Sequence, residues 1–350
     1  MAVRYGVIGC GAIGQRRHIP EIATNADAVL AALCDVNRTR LQELATKYGV
    51  SATFTDYREM LRLTELDAVV IATPNYLHAS QTLDAFAAGK HVLVEKPMAT
   101  TRREAKSMIA ASKKAKKFLM VGLNQRFMPP HVKAKEILAS GQIGKILAFR
   151  TAFMYSGPEG WCIENSNNTW FFKRKKAVLG VAGDLGIHKA DLMRFLLGED
   201  FASMSGILST LDKRDQTGKL IQVDDNAFLT CQTKSGIPGS IILSWTNYGE
   251  PEANYTVIYG SKAVLMLATD PVWGVIVRAR NGVEERYKVG AVATNEKQVT
   301  SGVTDAFTRC ILKNKAPDVN GVEGYRSLDA ILTAIEAAKQ GRTLKVMNAV

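Results

Sequence analysis

Three features of the 350-residue chain predict its fold class. Strand-like and helix-like patterns alternate up to about residue 125, a Gly-x-Gly-x-x-Gly turn closes the first strand, and short strands crowd together after residue 200. Alternation at these lengths implies a doubly wound parallel sheet with right-handed crossovers. Crowded strands separated by turn residues imply a mostly antiparallel sheet. The expected architecture is therefore an α/β Rossmann-type domain over 1–125 and an α+β domain with a large, mostly antiparallel sheet over 126–350. The C-terminal helix is left free to pack back on the first domain.

Taken in order, Val3, Tyr5, Val7 and Ile8 read as a buried strand running directly into Gly9-Cys10-Gly11-Ala12-Ile13-Gly14. Gly9 permits the tight turn, Gly11 a close approach of a pyrophosphate to the backbone, and Gly14 close helix packing. The diphosphate then sits on free N–H groups at the helix start, near Ala12 and Ile13. A second apolar run, Val29–Cys34, ends in Asp35, about 20 residues past the glycines, where a ribose hydroxyl partner belongs. Asp35 repels a 2′-phosphate and favours NAD; Arg38 close behind softens that preference, so NADP stays open. Helices follow over Asn37–Tyr48 and Asp56–Leu61, with a short extended piece around Ala52–Phe54. Next come a strand at Asp67–Ala72, a helix at Tyr76–Ala88 closed by Gly89, a strand at His91–Val94, a helix at Thr101–Lys117 and a strand at Phe118–Gly122. Ligands bind at the carboxyl ends of such strands, which directs attention to Thr73-Pro74-Asn75, Glu95-Lys96-Pro97 and Asn124-Gln125-Arg126.

Beyond a helix near Pro130–Ser140 the character changes. Lys145–Tyr155 alternates like a strand, an irregular stretch runs to Thr169, and a helix spans Asp184–Leu197. Strands are expected at Ser203–Thr210, Asn226–Thr233, Gly239–Trp245, Ala253–Tyr259, Lys262–Leu267 and Trp273–Arg278, then helices at about 296–313 and 322–340.

Hydrophobic residues make up 47% and charged residues 22% of the chain, ordinary for a globular protein. No apolar run approaches the roughly 18 residues of a membrane span, and the strand at Val3 leaves no room for a signal peptide. The expected compartment is the cytoplasm. The five cysteines are scattered and include no Cys-x-x-Cys pair, so neither a disulfide framework nor a metal site is indicated. Much of the net charge of +12 lies in Lys113–Lys117 and Lys173–Lys176. The first run ends a helix, where cations suit the dipole, and no aromatics interleave with it as nucleic-acid stacking would require. The second leaves an anionic substrate open, such as a sugar phosphate or nucleotide sugar.

Two groups of residues could carry chemistry. Lys96 emerges at the ligand end of a strand, where a desolvated ammonium can act as an acid or base or orient a hydroxyl; a surface lysine explains it equally well. Asp184 and His188, four apart, share one helix face, so the carboxylate can orient the imidazole. A helix-starting acid and a satisfied histidine explain them equally well.

With these motifs in this order and spacing, the chain resembles the Gfo/Idh/MocA oxidoreductases, over nearly its whole length. The resemblance implies that Lys96, Asp184 and His188 form the catalytic group. In that reading His188 takes the hydroxyl proton, Asp184 orients it, and Lys96 positions the hydroxyl. It also implies that Thr73, Pro74, Asn75, His78, Glu95 and Arg126 line the dinucleotide, that the Lys96–Pro97 bond is cis, and that the sheet's open face forms a homodimer or homotetramer contact. The substrate is then a sugar, sugar derivative or inositol, handled without nucleic-acid or membrane partners. Asn165, Trp170, Lys173 and Tyr248 are candidate polyol contacts. Two alternatives stay open, a glycoside-cleaving enzyme that oxidises transiently and a non-catalytic sensor. The chain departs from the family's frequent triple glycine at Gly180-Val181-Ala182-Gly183.

Overall fold

The computed structural model describes residues 2–163, 166–249, 251–290, 292 and 300–350. By contacts these fall into two units, one of residues up to 123 with 300–325, the other of 124–292 with 326–349.

The first unit holds six parallel strands, β1 (Val3–Ile8), β2 (Ala28–Cys34), β3 (Ala52–Phe54), β4 (Ala68–Ile71), β5 (His91–Val94) and β6 (Leu119–Val121), in the order β3-β2-β1-β4-β5-β6. Every residue of β4 is buried, as expected of a parallel strand covered on both faces. The order reverses between β1 and β4, so their carboxyl ends open a crevice at the switch point. Helix ends follow local chemistry. Asn37 caps Arg38–Tyr48 by accepting from the Arg40 amide, and Thr101 and Glu104 form a reciprocal capping box on Arg102–Ala115. Residues 300–325, placed in the second domain from the sequence, cluster with the first. The Tyr5 hydroxyl shares a 2.9 Å hydrogen bond with Thr308, and the Val121 amide donates to Val319 O. Periodicity reports that a helix has an apolar face, not which core the face joins. This helix spans Val303–Leu312; residues 296–299, where the sequence starts it, lie outside the described residues.

The second unit holds nine strands: β7 (Ile146–Met154), β8 (Phe201–Ser209), β9 (Asn226–Thr233), β10 (Pro238–Ser244), β11 (Thr256–Gly260), β12 (Ala263–Leu267), β13 (Val275–Ala279), β14 (Glu284–Tyr287) and β15 (Leu344–Lys345). Their order is β14-β13-β12-β11-β7-β10-β9-β8-β15, and only β7 and β10 pair in parallel. The edge strands β14 and β15 were not foreseen: Glu284–Tyr287 is mostly polar and Leu344–Lys345 too short to show a period. Burial alternates along β9, which marks one packed and one open face. The helices Pro129–Ala139 and Ile187–Leu197 pack together in this unit. Among the described residues no helix is long and apolar enough to cross a membrane.

Candidate active site

In the first unit the glycine turn divides its labour as the spacing predicts. Gly9 has φ +96°, and a Cβ there would lie 2.6 Å from Ala72 O; a Cβ on Gly14 would lie 2.5 Å from Gly9 O. Gly11 differs, because a Cβ there would meet nothing within 4 Å. The chain therefore does not need that glycine for its own packing, and the open space fits a pyrophosphate approaching the backbone. The backbone behind it widens into a π-helical turn, Gly14–His18, rather than a plain α-helix.

Asp35, buried at the end of β2, accepts from the Cys10 amide at 2.7 Å and the Asn37 amide at 2.8 Å. These bonds fix the carboxylate against the glycine turn and leave lone pairs for ribose hydroxyls. Its guanidinium neighbour is Arg40, Nη1 at 3.7 Å, a residue the sequence reading missed; Arg38 is exposed at the first position of its helix.

At the end of β4, Thr73 and Pro74 are half-buried and Asn75 is buried. Thr73 Oγ1 donates to Gln81 Oε1 at 2.6 Å. His78 is buried, with Nε2 2.8 Å from Thr73 O and Nδ1 2.8 Å from Pro97 O. At the end of β5, Glu95 is a buried anion that His18 Nε2 meets at 2.8 Å and Arg17 at 3.5 Å. Burial alone would raise its carboxyl pKa, but His18, Arg17 and Lys96 together hold it far below the usual carboxylate range. Glu95 Oε2 also accepts from the Lys96 amide at 3.1 Å, and the Lys96–Pro97 peptide is cis. Gly122 leaves room for this carboxylate, since a Cβ there would lie 3.0 Å from Glu95 Oε1.

In the second unit Asp184 lies within a π-helical turn, Ala182–Gly186, which leads into the helix Ile187–Leu197. The wider turn alters the simple four-residue helix face expected of Asp184 and His188. Glycines make the turn possible: a Cβ on Gly183 would lie 2.2 Å from Leu179 Cβ, and one on Gly180 2.3 Å from Asp224 O. Asp224 pins the turn, its Oδ2 accepting from the Ala182 amide at 2.8 Å and its carbonyl from the Val181 amide.

Asp184 Oδ2 accepts from the indole of Trp245 at 3.2 Å and from the Tyr155 hydroxyl at 3.4 Å, and Trp161 Nε1 donates to Tyr155 at 3.0 Å. Burial and the Asp184 charge push the Tyr155 phenol well above its ordinary pKa, so it stays a donor. His188 is buried, its ring 6.1 Å from that of Phe153. Tyr155 and Trp245 escaped the sequence reading because each reaches Asp184 from a distant part of the chain. Their one visible trace was an aromatic near the end of a strand.

Trp170 stacks on Phe171 at 3.9 Å, and Phe171 meets Trp245 edge-on, so an aromatic chain leads from Trp170 to Asp184. Lys173 is exposed and donates to Asn168. Tyr248 donates to Asp212 at 2.9 Å beneath the ammonium of Lys213. Asn165 lies outside the described residues. Arg126, expected to line the dinucleotide, places its guanidinium fork on Asp191 at 2.7 and 2.6 Å.

Residues 3–123 match a family model described as an oxidoreductase family with an NAD-binding Rossmann fold, and residues 131–266 match the C-terminal domain of the same family. The chain belongs to the Gfo/Idh/MocA oxidoreductase family. NAD is the cofactor of that N-terminal domain, in keeping with the open space at Gly11 and the fixed Asp35 carboxylate. Among Gfo/Idh/MocA relatives, the chain is 33% identical to levoglucosan dehydrogenase of Pseudarthrobacter phenanthrenivorans over 216 residues. That match spans 59% of this chain and 54% of the relative's length. It is 30% identical to myo-inositol 2-dehydrogenase of Thermotoga maritima over 239 residues, 68% of this chain and 67% of that protein. A crystal structure of aldose-aldose oxidoreductase from Caulobacter crescentus, complexed with glycerol, superposes with TM-score 0.84 at 27% identity, covering 99% of this chain and 100% of that one.

Proposed function

We propose that the protein is an NAD-dependent dehydrogenase that oxidises a ring hydroxyl of a sugar, sugar derivative or cyclitol. The observation that supports this reading is a Gfo/Idh/MocA chain in which the Lys96 amide donates to the Glu95 carboxylate and Asp184 accepts from two buried donors. Relatives named for sugar and inositol oxidation support the substrate class. NAD supplies the hydride acceptor when bound. His188 accepts the hydroxyl proton, Asp184 orients the imidazole, and Lys96 positions the hydroxyl. The fixed Asp35 carboxylate favours NAD over NADP. The protein works in the cytoplasm as a homodimer or homotetramer, joined through the open face of the nine-stranded sheet. The basic run Lys173–Lys176 supports an anionic group on the substrate; with Asp215 it lines a surface pocket of about 380 Å³ that includes none of Lys96, Asp184 and His188.

The test is reduction of NAD and NADP with inositols, free hexoses, hexose phosphates and nucleotide sugars, alongside Lys96→Ala and His188→Ala. NADH formation with one class, lost by about 10²-fold or more in both variants while NAD still binds, supports the assignment. Parent-like turnover by either variant sinks it. Silence across the panel with NAD bound points to the glycoside-cleaving reading, checked by product analysis of an aryl glycoside.

A further inference from the structure

His78 holds an arrangement that dinucleotide lining does not explain. Both of its ring nitrogens lie 2.8 Å from backbone carbonyl oxygens, Nδ1 from Pro97 O and Nε2 from Thr73 O, and the ring is only 1% exposed. Carbonyl oxygens accept and never donate, while a neutral imidazole has a single N–H. One ring proton can therefore serve only one of the two acceptors, which lie in two loops that follow two different strands. Burial and the nearby Lys96 charge hold the imidazole pKa below its ordinary value, against the pull of the two carbonyls and Glu95, so the ring works with that single proton at neutral pH.

The two loops are otherwise anchored from outside. Gln81, one helical turn beyond His78, takes the Thr73 hydroxyl at 2.6 Å. Glu95, held by His18 and Arg17, takes the Lys96 amide. Lys96 is thus held at its amide by Glu95, and the carbonyl of the next residue, Pro97, lies against His78 Nδ1.

We propose that His78 is a positioning residue for Lys96, its Nδ1–H holding the Pro97 carbonyl so that the lysine loop is fixed to the helix His78–Ala87, whose Gln81 in turn takes the Thr73 hydroxyl. This deepens the proposed function and rests on the role given there to Lys96. A ligand-contacting role would leave a ring atom for the cofactor; here both nitrogens face protein carbonyls.

Three variants test it. An asparagine amide can place its donor where Nδ1 stood, a glutamine amide where Nε2 stood, and phenylalanine keeps the ring without a donor. His78→Asn is expected to keep at least about fivefold more kcat than His78→Gln, while His78→Phe falls at least about tenfold below the parent, NAD affinity changing less than about threefold throughout. In the cofactor-free protein, ¹⁵N spectra should show one fixed tautomer, protonated at Nδ1, at pH 7–8. Parent-like kcat in His78→Phe, equal losses in the Asn and Gln variants, loss of NAD affinity in step with kcat, or a freely averaging tautomer would each overturn the proposal. Lys96→Ala separates the two readings. If it turns over normally, the role of Lys96 itself fails; if it is inactive while His78→Phe is parent-like, only the role of His78 fails.

Discussion

At the scale of single residues, the second unit concentrates its polar chemistry on one carboxylate oxygen. Trp245 and Tyr155 both donate to Asp184 Oδ2 from inside a packed aromatic cluster. Trp245→Phe keeps most of the ring volume and removes the N–H, so turnover should fall roughly tenfold or more through misplacement of Asp184, with NAD affinity unchanged. Parallel loss of melting temperature and NAD affinity would instead make Trp245 a packing residue. Lys189 is a second buried group. It is fully buried, its ammonium 3.4 Å from Tyr255 O and 5.9 Å from the Phe153 ring, and burial pushes its pKa down to about 7 against the pull of Glu252. Unfolded, the lysine returns to about 10.4. Between those values the unfolded chain binds more protons, so stability rises with pH across that window. Lys189→Met should therefore stabilise the protein near pH 7 and lose that advantage by about 1 kcal/mol per pH unit toward pH 10. Denaturant titrations at pH 7 and 9.5 measure it, and an unchanging gap between variant and parent would refute the assignment.

At the scale of elements, capped helices were the most legible. The structure's caps at Asn37, at Thr101 with Glu104, and at Gly89 act on groups within a few residues, which is why helices starting at Asn37 and Thr101 and one closed by Gly89 can be read locally. The two π-helical turns, Gly14–His18 and Ala182–Gly186, were not legible. A widened turn is selected by what packs against it, here Gly9 O in one case and Leu179 with Asp224 in the other. The glycine turn offers a direct contrast. Gly11→Ala should melt like the parent, since its Cβ meets open space, yet bind NAD at least about tenfold more weakly. Gly14→Ala should lose about 1–3 kcal/mol of stability, since its Cβ drives into a backbone oxygen that cannot yield. Thermal melts and calorimetric titration of both variants check the pair, and equal melting temperatures would contradict it.

At the scale of the whole molecule, NAD binding should be felt as stability of the folded chain. A ligand bound only by the native state stabilises it by about 2.7 kcal/mol at a hundred times its dissociation constant. The parent's melting temperature should therefore rise with added NAD, and that of Asp35→Ala much less. A shift of equal size in the variant would remove Asp35 from the cofactor site. The domain boundary is also a whole-molecule property. Residues 300–325 join the first unit because Thr308 meets Tyr5 and Val319 meets Val121, contacts between chain positions some 200 to 300 residues apart.

Local sequence is enough for the parallel sheet, its glycine turn, the acid at the end of β2 and the central strands of the second sheet. Each of these rests on periodicity or turn chemistry within a few residues. Packing in three dimensions sets Arg40 rather than Arg38 beside Asp35, Arg126 on Asp191, and Tyr155 and Trp245 on Asp184. It also sets His78 between two carbonyls. A side chain's partner across space is set by how distant segments pack, and local sequence periods carry no record of that choice.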